Sequence, residues 1–252
     1  MTKTPAEVEL LAESGRLLAS VFAHLDGQPL AGLTTLQVND LVEAFIVKQL
    51  GARPAGKGQY GYGFVLNSSR NEVVCHGVPS SDDVLQNGDI VNFDITLEKH
   101  GYIADSSKTF LIGNVEPAAR RLVRTAYDAM WKGINAVRPG AKLGDIGFAI
   151  ERHAKRNGYS IVREYCGHGI GREMHEAPQV LHFGKPGTGL TLREGMVFTI
   201  EPMLNQGRRT VRTEDDGWTV VTVDRKLSAQ FEHTVAVTHD GVRVLTLRPD
   251  EA

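Results

Sequence analysis

Apolar residues return at helical spacing over 5–24, where Val8, Leu10, Leu11, Leu17, Leu18, Val21 and Phe22 fall near one face, and Ala6, Glu7 and Glu9 suit a first turn. A second helix is predicted from about Thr35 to Leu50, with Leu36, Leu41, Val42, Phe45, Ile46 and Leu50 apolar, Thr34 or Thr35 as cap and Gly51 as stop. Two more fit 117–136 and 143–157, the latter closed by Asn157-Gly158. Between and after them come β-like runs at 73–75, 90–97, 102–112, 160–163, 196–200, 218–223, 229–238 and 242–247. The order of helix, helix, strands therefore occurs twice. Sliding the chain along itself brings Leu36, Lys48 and Gly51 onto Leu143, Lys155 and Gly158. The residue match is sparse, but with the repeated plan it favours an α+β architecture in which two related halves share a mostly antiparallel sheet. No linker or break in composition divides the chain, so one domain over 1–252 is expected.

Composition narrows the class. Of 252 residues 41% are hydrophobic and 23% charged, the proportions of a globular chain with room for a core. The net charge of −2 and the absence of a basic block give no footprint for nucleic acid or an anionic membrane. Only Cys75 and Cys166 occur, and the N-terminus has neither a signal-peptide pattern nor a long apolar run. A reduced, cytoplasmic setting is expected.

The segment Gly56-Lys-Gly-Gln-Tyr-Gly61 spells a dinucleotide fingerprint, but Pro54 precedes it and Asn67-Ser-Ser follows, so it lacks the strand before and the helix after that give the motif its meaning. HExxH, GxSxG, paired CxxC and the Walker loop are absent. In Ile90–Leu97, Val91, Phe93, Ile95 and Leu97 alternate with Asn92, Asp94 and Thr96, which places Asp94 in mid-strand. With a four-residue turn at 98–101, Leu97 faces Tyr102 and Asp94 faces Asp105. Two carboxylates about 5 Å apart would then need a cation or a shared proton. A one-residue slip, or one Asp turned to water, would separate them.

Further carboxylates sit at Glu201, held extended before Pro202, and at Glu232 in the strand 229–238. The glycine-rich turn segment 166–176 supplies His168 and His175. Each alone has a bland account as a solvated or turn residue. Together, Asp94, Asp105, Glu201 and Glu232 balance two divalent cations, and His168 adds an imidazole. A carboxylate-rich set with one His suits manganese, iron(II) or cobalt more than structural zinc. His76 and His175 then remain as proton handlers or oxyanion stabilisers.

These residues resemble the type I methionine aminopeptidases, metal-dependent hydrolases of the pita-bread fold. The resemblance runs from the first helix to Leu247 and is most specific at NEVVCHGVP (71–79), GDIVNFDITL (88–97), Asp105–Lys108, REYCGHGIGREMHEAPQVLHF (163–183), GMVFTIEPM (195–203) and DGWTVVTVDRKLSAQFEHT (216–234). It implies an antiparallel sheet with pseudo-two-fold halves and helices on its outer face. It further implies that Asp94, Asp105, His168, Glu201 and Glu232 ligate two divalent ions, with cobalt, manganese or iron, and also zinc or nickel, as candidates. Asp105 and Glu232 would bridge them. Glu201 would handle the proton of the attacking water, His175 would contact the scissile carbonyl, and His76 the next peptide nitrogen. Tyr60, Tyr62, Phe64 and Trp218 would wall the substrate cleft. An auxiliary monovalent cation would fall on backbone oxygens of Asn71, Val73 and Ser228. The implied activity is removal of the N-terminal methionine from nascent chains with a small second residue, by a monomer acting near the ribosome.

Two departures bear, in turn, on side-chain specificity and on metal retention. Gly56, Gln59 and Asn67 stand where the family draws a Cys-x-x-Tyr pair and a Cys for its methionine pocket, and Ile103-Ala104 replaces a His-Gly before Asp105. Two competing readings follow: a pita-bread peptidase of relaxed or proline-directed specificity, or a non-catalytic binding module on this fold. The proline-directed form is opposed by the short stretch before residue 71 and the binding module by the complete ligand set, whereas the altered pocket keeps relaxed specificity open. His233 is expected to face away from Glu232 as a hydrogen-bonded group. Cys75 and Cys166 are expected as fillers, and His24, His100, His153, His182 and His239 as surface or packing residues.

Overall fold

The computed structural model describes residues 2–251. The first helix, α1 (Pro5–Asp26), opens on a capping box in which the Thr4 hydroxyl accepts from Glu7 N–H and the Glu7 carboxylate accepts from Thr4 N–H. Thr34 and Gln37 repeat the device at α2 (Thr35–Ala44). The sequence predicts one helix to Leu50, but after Ala44 the chain widens to a turn over Phe45–Gln49 in which Leu50 N–H reaches Phe45 O at 3.1 Å. The Lys99 ammonium then takes the carbonyls of Leu50 and Gly51 at 3.2 and 2.7 Å. Helices α3 (Pro117–Ile134) and α4 (Leu143–Arg156) occupy the predicted places.

Strands β1 (Arg53–Pro54), β2 (Leu66–Arg70), β3 (Val73–Cys75), β4 (Ile90–Lys99) and β5 (Tyr102–Leu111) follow α2. After α4 come β6 (Ser160–Ile161), β7 (Gly167–Gly169), β8 (Glu176–Val180), β9 (Val197–Ile200) and β10 (Met203–Asn205). The chain finishes with β11 (Val211–Thr213), β12 (Val220–Thr222), β13 (Ser228–Gln230), β14 (Glu232–Val237) and β15 (Val242–Val244). The main sheet runs β1-β4-β5-β14-β9-β7-β8, with β2 added on β4 and β15 on β14, and its ladders are antiparallel. The β5–β14 ladder joins the halves, pairing Ser107 with Glu232 and Ser106 with His233.

The helices lie on one face of this sheet. Phe22 of α1 and Val38 of α2 pack with Val91, Phe93, Ile95 and Leu97 of β4, while Leu122, Met130 and Ile150 of α3 and α4 pack with Phe198, Ile200 and Val235. Each large apolar side chain buried there contributes roughly 1.5–3 kcal/mol. Because successive side chains alternate, the other face of β4 presents Asn92, Asp94 and Thr96. This is the expected α+β, pita-bread arrangement.

The hairpin register differs from the expectation. The turn is two residues, His100 and Gly101, both at positive φ (55° and 78°), so Lys99 pairs with Tyr102 and Asp94 faces Ser107, with Asp105 facing Thr96. The change of register is two residues. An even slip leaves every side chain on its face, so Asp94 and Asp105 remain on one side of the sheet as diagonal neighbours. His168 sits on β7 and not in a loop. The run 229–238 breaks at Phe231 into β13 and β14, which belong to different sheets.

Candidate metal centre

Asp94 and Asp105 project from the face of the β4–β5 hairpin opposite the helices. Glu232 begins β14 beside Ser107, and Glu201 follows Ile200, the partner of His233. His168 is carried by β7, whose Gly169 pairs with Phe198. Donor atoms of Asp105, His168 and Glu232 lie within 4.8 Å of one another. The His168 Nε2 is 3.7 Å from both Asp105 Oδ2 and Glu201 Oε1. These five residues and His76, His175, Tyr60, Tyr62 and Trp218 line one cavity of about 590 Å³. Phe64 is not in that lining and packs edge-on against Tyr62, with ring centroids 5.7 Å apart.

No Lys or Arg among the described residues lines the cavity. Burial pushes all four acids up, and the repulsion of neighbouring carboxylates adds to it for Asp105, Glu201 and Glu232. Burial takes Asp94 to about 6 despite hydrogen bonds from Asn67 and Asp105. Burial and then the charge of Asp94 take Glu201 to about 8. Asp105 and Glu232 go well above the carboxylate range through burial and the neighbouring acids. Asp105 Oδ1 is buried without a hydrogen-bond partner. Such a set fits a divalent cation, which would fill the orphaned lone pairs and favour the ionised acids.

His168 is oriented for the same purpose. Its Nδ1 is 3.0 Å from the Gly169 carbonyl and donates to it, leaving the Nε2 lone pair toward the acids. Burial, followed by the nearby His175, lowers its pKa to about 4, so the imidazole is neutral. The glycines either side are sterically required. A Cβ on Gly167 would overlap the Thr199 carbonyl, and one on Gly169 the Ala177 carbonyl. Gly169→Ala is expected to displace His168 and to destabilise the protein by about 1–3 kcal/mol. Urea unfolding checks this, and an unchanged midpoint would contradict it.

Glu201 is held from three sides. Thr199 Oγ1 donates to its Oε1 at 2.8 Å, Gln230 Nε2 to its Oε2 at 3.4 Å, and its own N–H donates to His182 Nε2 at 3.1 Å. His182 is 1% exposed, and burial lowers its pKa to about 3. The sequence reading leaves His182 among packing residues and does not single out Thr199 or Gln230. Thr199 alone carried a signal, being two residues before Glu201 on the same strand face. The partnership of His182 arises only when 182 is brought under 201.

At the mouth, the His175 ring stacks on Tyr60 at 5.9 Å and meets His168 edge-on at 4.4 Å, and Tyr60 Oη is 3.3 Å from His175 Nδ1. His76 stands at φ 56° with its ring edge-on to Tyr165. Tyr62 packs against Trp218 at 5.0 Å. Burial and the neighbouring acids raise the Cys75 thiol, and burial raises that of Cys166, so neither is an activated nucleophile. Ile103 packs in an apolar cluster with Ile170, Met174 and Val197 at the cavity's edge.

The sequence profile of metallopeptidase family M24 matches residues 9–239. Methionine aminopeptidase A of Synechocystis sp. is 49% identical over 241 residues, covering 96% of this chain and 95% of its own. Methionine aminopeptidase of Escherichia coli is 44% identical over 249 residues, with 99% and 94% covered. The crystal structure of methionine aminopeptidase from Rickettsia prowazekii superposes with a TM-score of 0.95 at 46% identity, over 98% of this chain and 99% of that one. With its carboxylate-rich centre on this fold, the chain belongs to metallopeptidase family M24, among the type I methionine aminopeptidases.

Proposed function

We propose that the protein removes the N-terminal methionine from polypeptides with a small second residue, acting as a single catalytic domain over 1–252. The observation that carries this is the convergence of four carboxylates, Asp105 and Glu232 buried and Asp94 and Glu201 half-buried, with a neutral His168 in a cavity whose described lining offers no cation. Asp94, Asp105, His168, Glu201 and Glu232 would hold two divalent ions, of which cobalt, manganese or iron suit the donors best. When bound, such ions polarise a carbonyl and make water a better nucleophile at neutral pH. The free α-amine of the peptide, a cation, is drawn to the carboxylate floor. His175, at the rim beside His168, donates toward the scissile carbonyl oxygen, and His76 holds the following peptide nitrogen. Glu201, which would be ionised once the divalent ions are held and is fixed by three contacts, accepts the proton of the attacking water and returns it to the leaving amine. Trp218 and Tyr62 wall the cleft. A monovalent cation at the backbone oxygens of Asn71, Val73 and Ser228 is a lesser part of this reading, supported by the unpartnered, buried Ser228 Oγ. The substrates would be nascent chains, met in the cytoplasm near the ribosome by a monomer. No helix of the described residues is long and apolar enough to cross a membrane.

The test is release of methionine from Met-Ala-Ser by chelator-treated protein, before and after Mn(II) or Co(II). Restoration by metal is expected, together with proton release, because binding ionises acids whose pKa values are raised. At a hundredfold excess over Kd one site adds about 2.7 kcal/mol, or on the order of 5–10 °C in Tm. Cleavage indifferent to chelation, or no thermal shift, would refute the metal-dependent reading.

A further inference from the structure

The cavity has two unlike ends. Exposed Tyr60, His175 and Gln179 mark the open side, whereas buried Val65, Leu66, Cys75 and Thr96 close the far end. A peptide whose amine faces the carboxylates and whose chain leaves through the open side has the closed end for its first side chain. The walls there are apolar, but the tip is not. Thr96 stands on the site face of β4 opposite Asp105, and a Cβ on Gly56 would come within 3.1 Å of its hydroxyl, so the glycine leaves that hydroxyl uncovered. Gln59, three residues on, lines the same cavity. Thr96 is buried and Gln59 half-buried, and neither side chain takes part in a hydrogen bond within the described residues. Asn67, by contrast, is committed to Asp94, the residue opposite it on β4.

A thioether is a weak acceptor, so methionine alone would desolvate these two donors without pairing them. Its sulfoxide has nearly the same shape and carries an oxygen that accepts hydrogen bonds. We propose that this end seats methionine sulfoxide as well as methionine, and that the enzyme releases an oxidised first residue; the proposal rests on the aminopeptidase reading above. The reaction is the same hydrolysis. The peptide C–N bond breaks, the oxygen of water bonds to the carbonyl carbon, a proton goes to the leaving amine, and the sulfur keeps its oxidation state.

The experiment compares Met-Ala-Ser with its methionine-sulfoxide analogue on metal-loaded enzyme, with calorimetric binding of free L-methionine and L-methionine sulfoxide alongside. The sulfoxide peptide is expected to have kcat/KM within about tenfold of the methionine peptide, and Gln59→Leu is expected to lower the sulfoxide-to-methionine ratio about tenfold or more. A sulfoxide peptide cleaved more slowly than that, or a ratio indifferent to Gln59→Leu, overturns the proposal while leaving methionine removal standing. If neither peptide is cleaved, the aminopeptidase reading falls. Calorimetry then decides the seat: tighter binding of the sulfoxide, lost in Gln59→Leu, supports it, and equal or weaker binding overturns it.

Discussion

Glu201→Gln is expected to lower kcat on the order of 10³-fold, the loss typical of removing a positioned acid/base group. The amide keeps the shape of the side chain and its oxygen can still accept from Thr199, while the backbone N–H of residue 201 still donates to His182, so the fold survives. It cannot take a proton from water at neutral pH. The variant has a second signature in metal-free protein. The pKa of Glu201 is raised from its ordinary value of 4.5 to about 8 by burial and by Asp94. A raised carboxyl lends stability that is fully present below about pH 4.5 and is lost as the pH rises through about 8. Chelated wild type should therefore lose Tm across that interval more steeply than Glu201→Gln. Steady-state kinetics on metal-loaded enzyme and thermal melts of chelated enzyme read the two effects separately. Turnover within tenfold of wild type would remove Glu201 from the mechanism.

Arg248→Met is expected to destabilise the protein by about 3 kcal/mol, because removing one partner of a buried ion pair strands the other. Arg248 is 2% exposed. Its guanidinium donates to Glu251 Oε1 at 2.8 Å, to the Ser107 carbonyl at 3.2 Å and to Ser106 Oγ at 3.3 Å, and lies over Phe22. Ser106 in turn donates to the Glu232 carbonyl at 2.7 Å, so the cluster braces the ladder carrying Asp105 and Glu232 from behind. Burial alone would raise Glu251, but the hydrogen bond to His233 and the charges of His233 and Arg248 outweigh it and bring the carboxyl to about 2. Its contribution is thus complete above its ordinary value of 4.5 and fades as the pH falls through about 2. Urea unfolding at pH 7 should find a lower midpoint for Arg248→Met, and the gap should narrow toward pH 2. A midpoint unchanged at pH 7 would mean that the packing on Phe22, and not the charge, holds this segment.

Helices α1, α3 and α4 were legible because their apolar residues repeat at helical spacing beside recognisable caps and stops. Strand β4 was legible because Val91, Phe93, Ile95 and Leu97 alternate with Asn92, Asp94 and Thr96. Strands β2, β7 and β8 were not, since Leu66-Asn-Ser-Ser-Arg, Gly167-His-Gly and Glu176-Ala-Pro-Gln-Val carry no apolar periodicity. They are strands because β4 offers β2 a ladder, β9 offers one to β7, and β7 in turn pairs with β8. The end of α2 was missed for a related reason: no local residue specifies a widened turn, and Lys99, distant in the chain, takes the carbonyls that follow it.

For the site, residue type and strand position fixed which groups could converge, and alternation put Asp94 and Asp105 on one face for any turn of even length. Tertiary structure decided the rest. The left-handed His100-Gly101 turn set a register that makes the two acids diagonal, and close packing of β7 between β8 and β9 aimed His168. The return of residue 182 beneath 201 made a packing histidine a partner of Glu201, and the turn after Gly56 left Gln59 and Thr96 unpaired in the cavity. The physical reason is range: periodicity and caps act within a few residues, whereas a buried charge is set by neighbours that only the folded chain brings near.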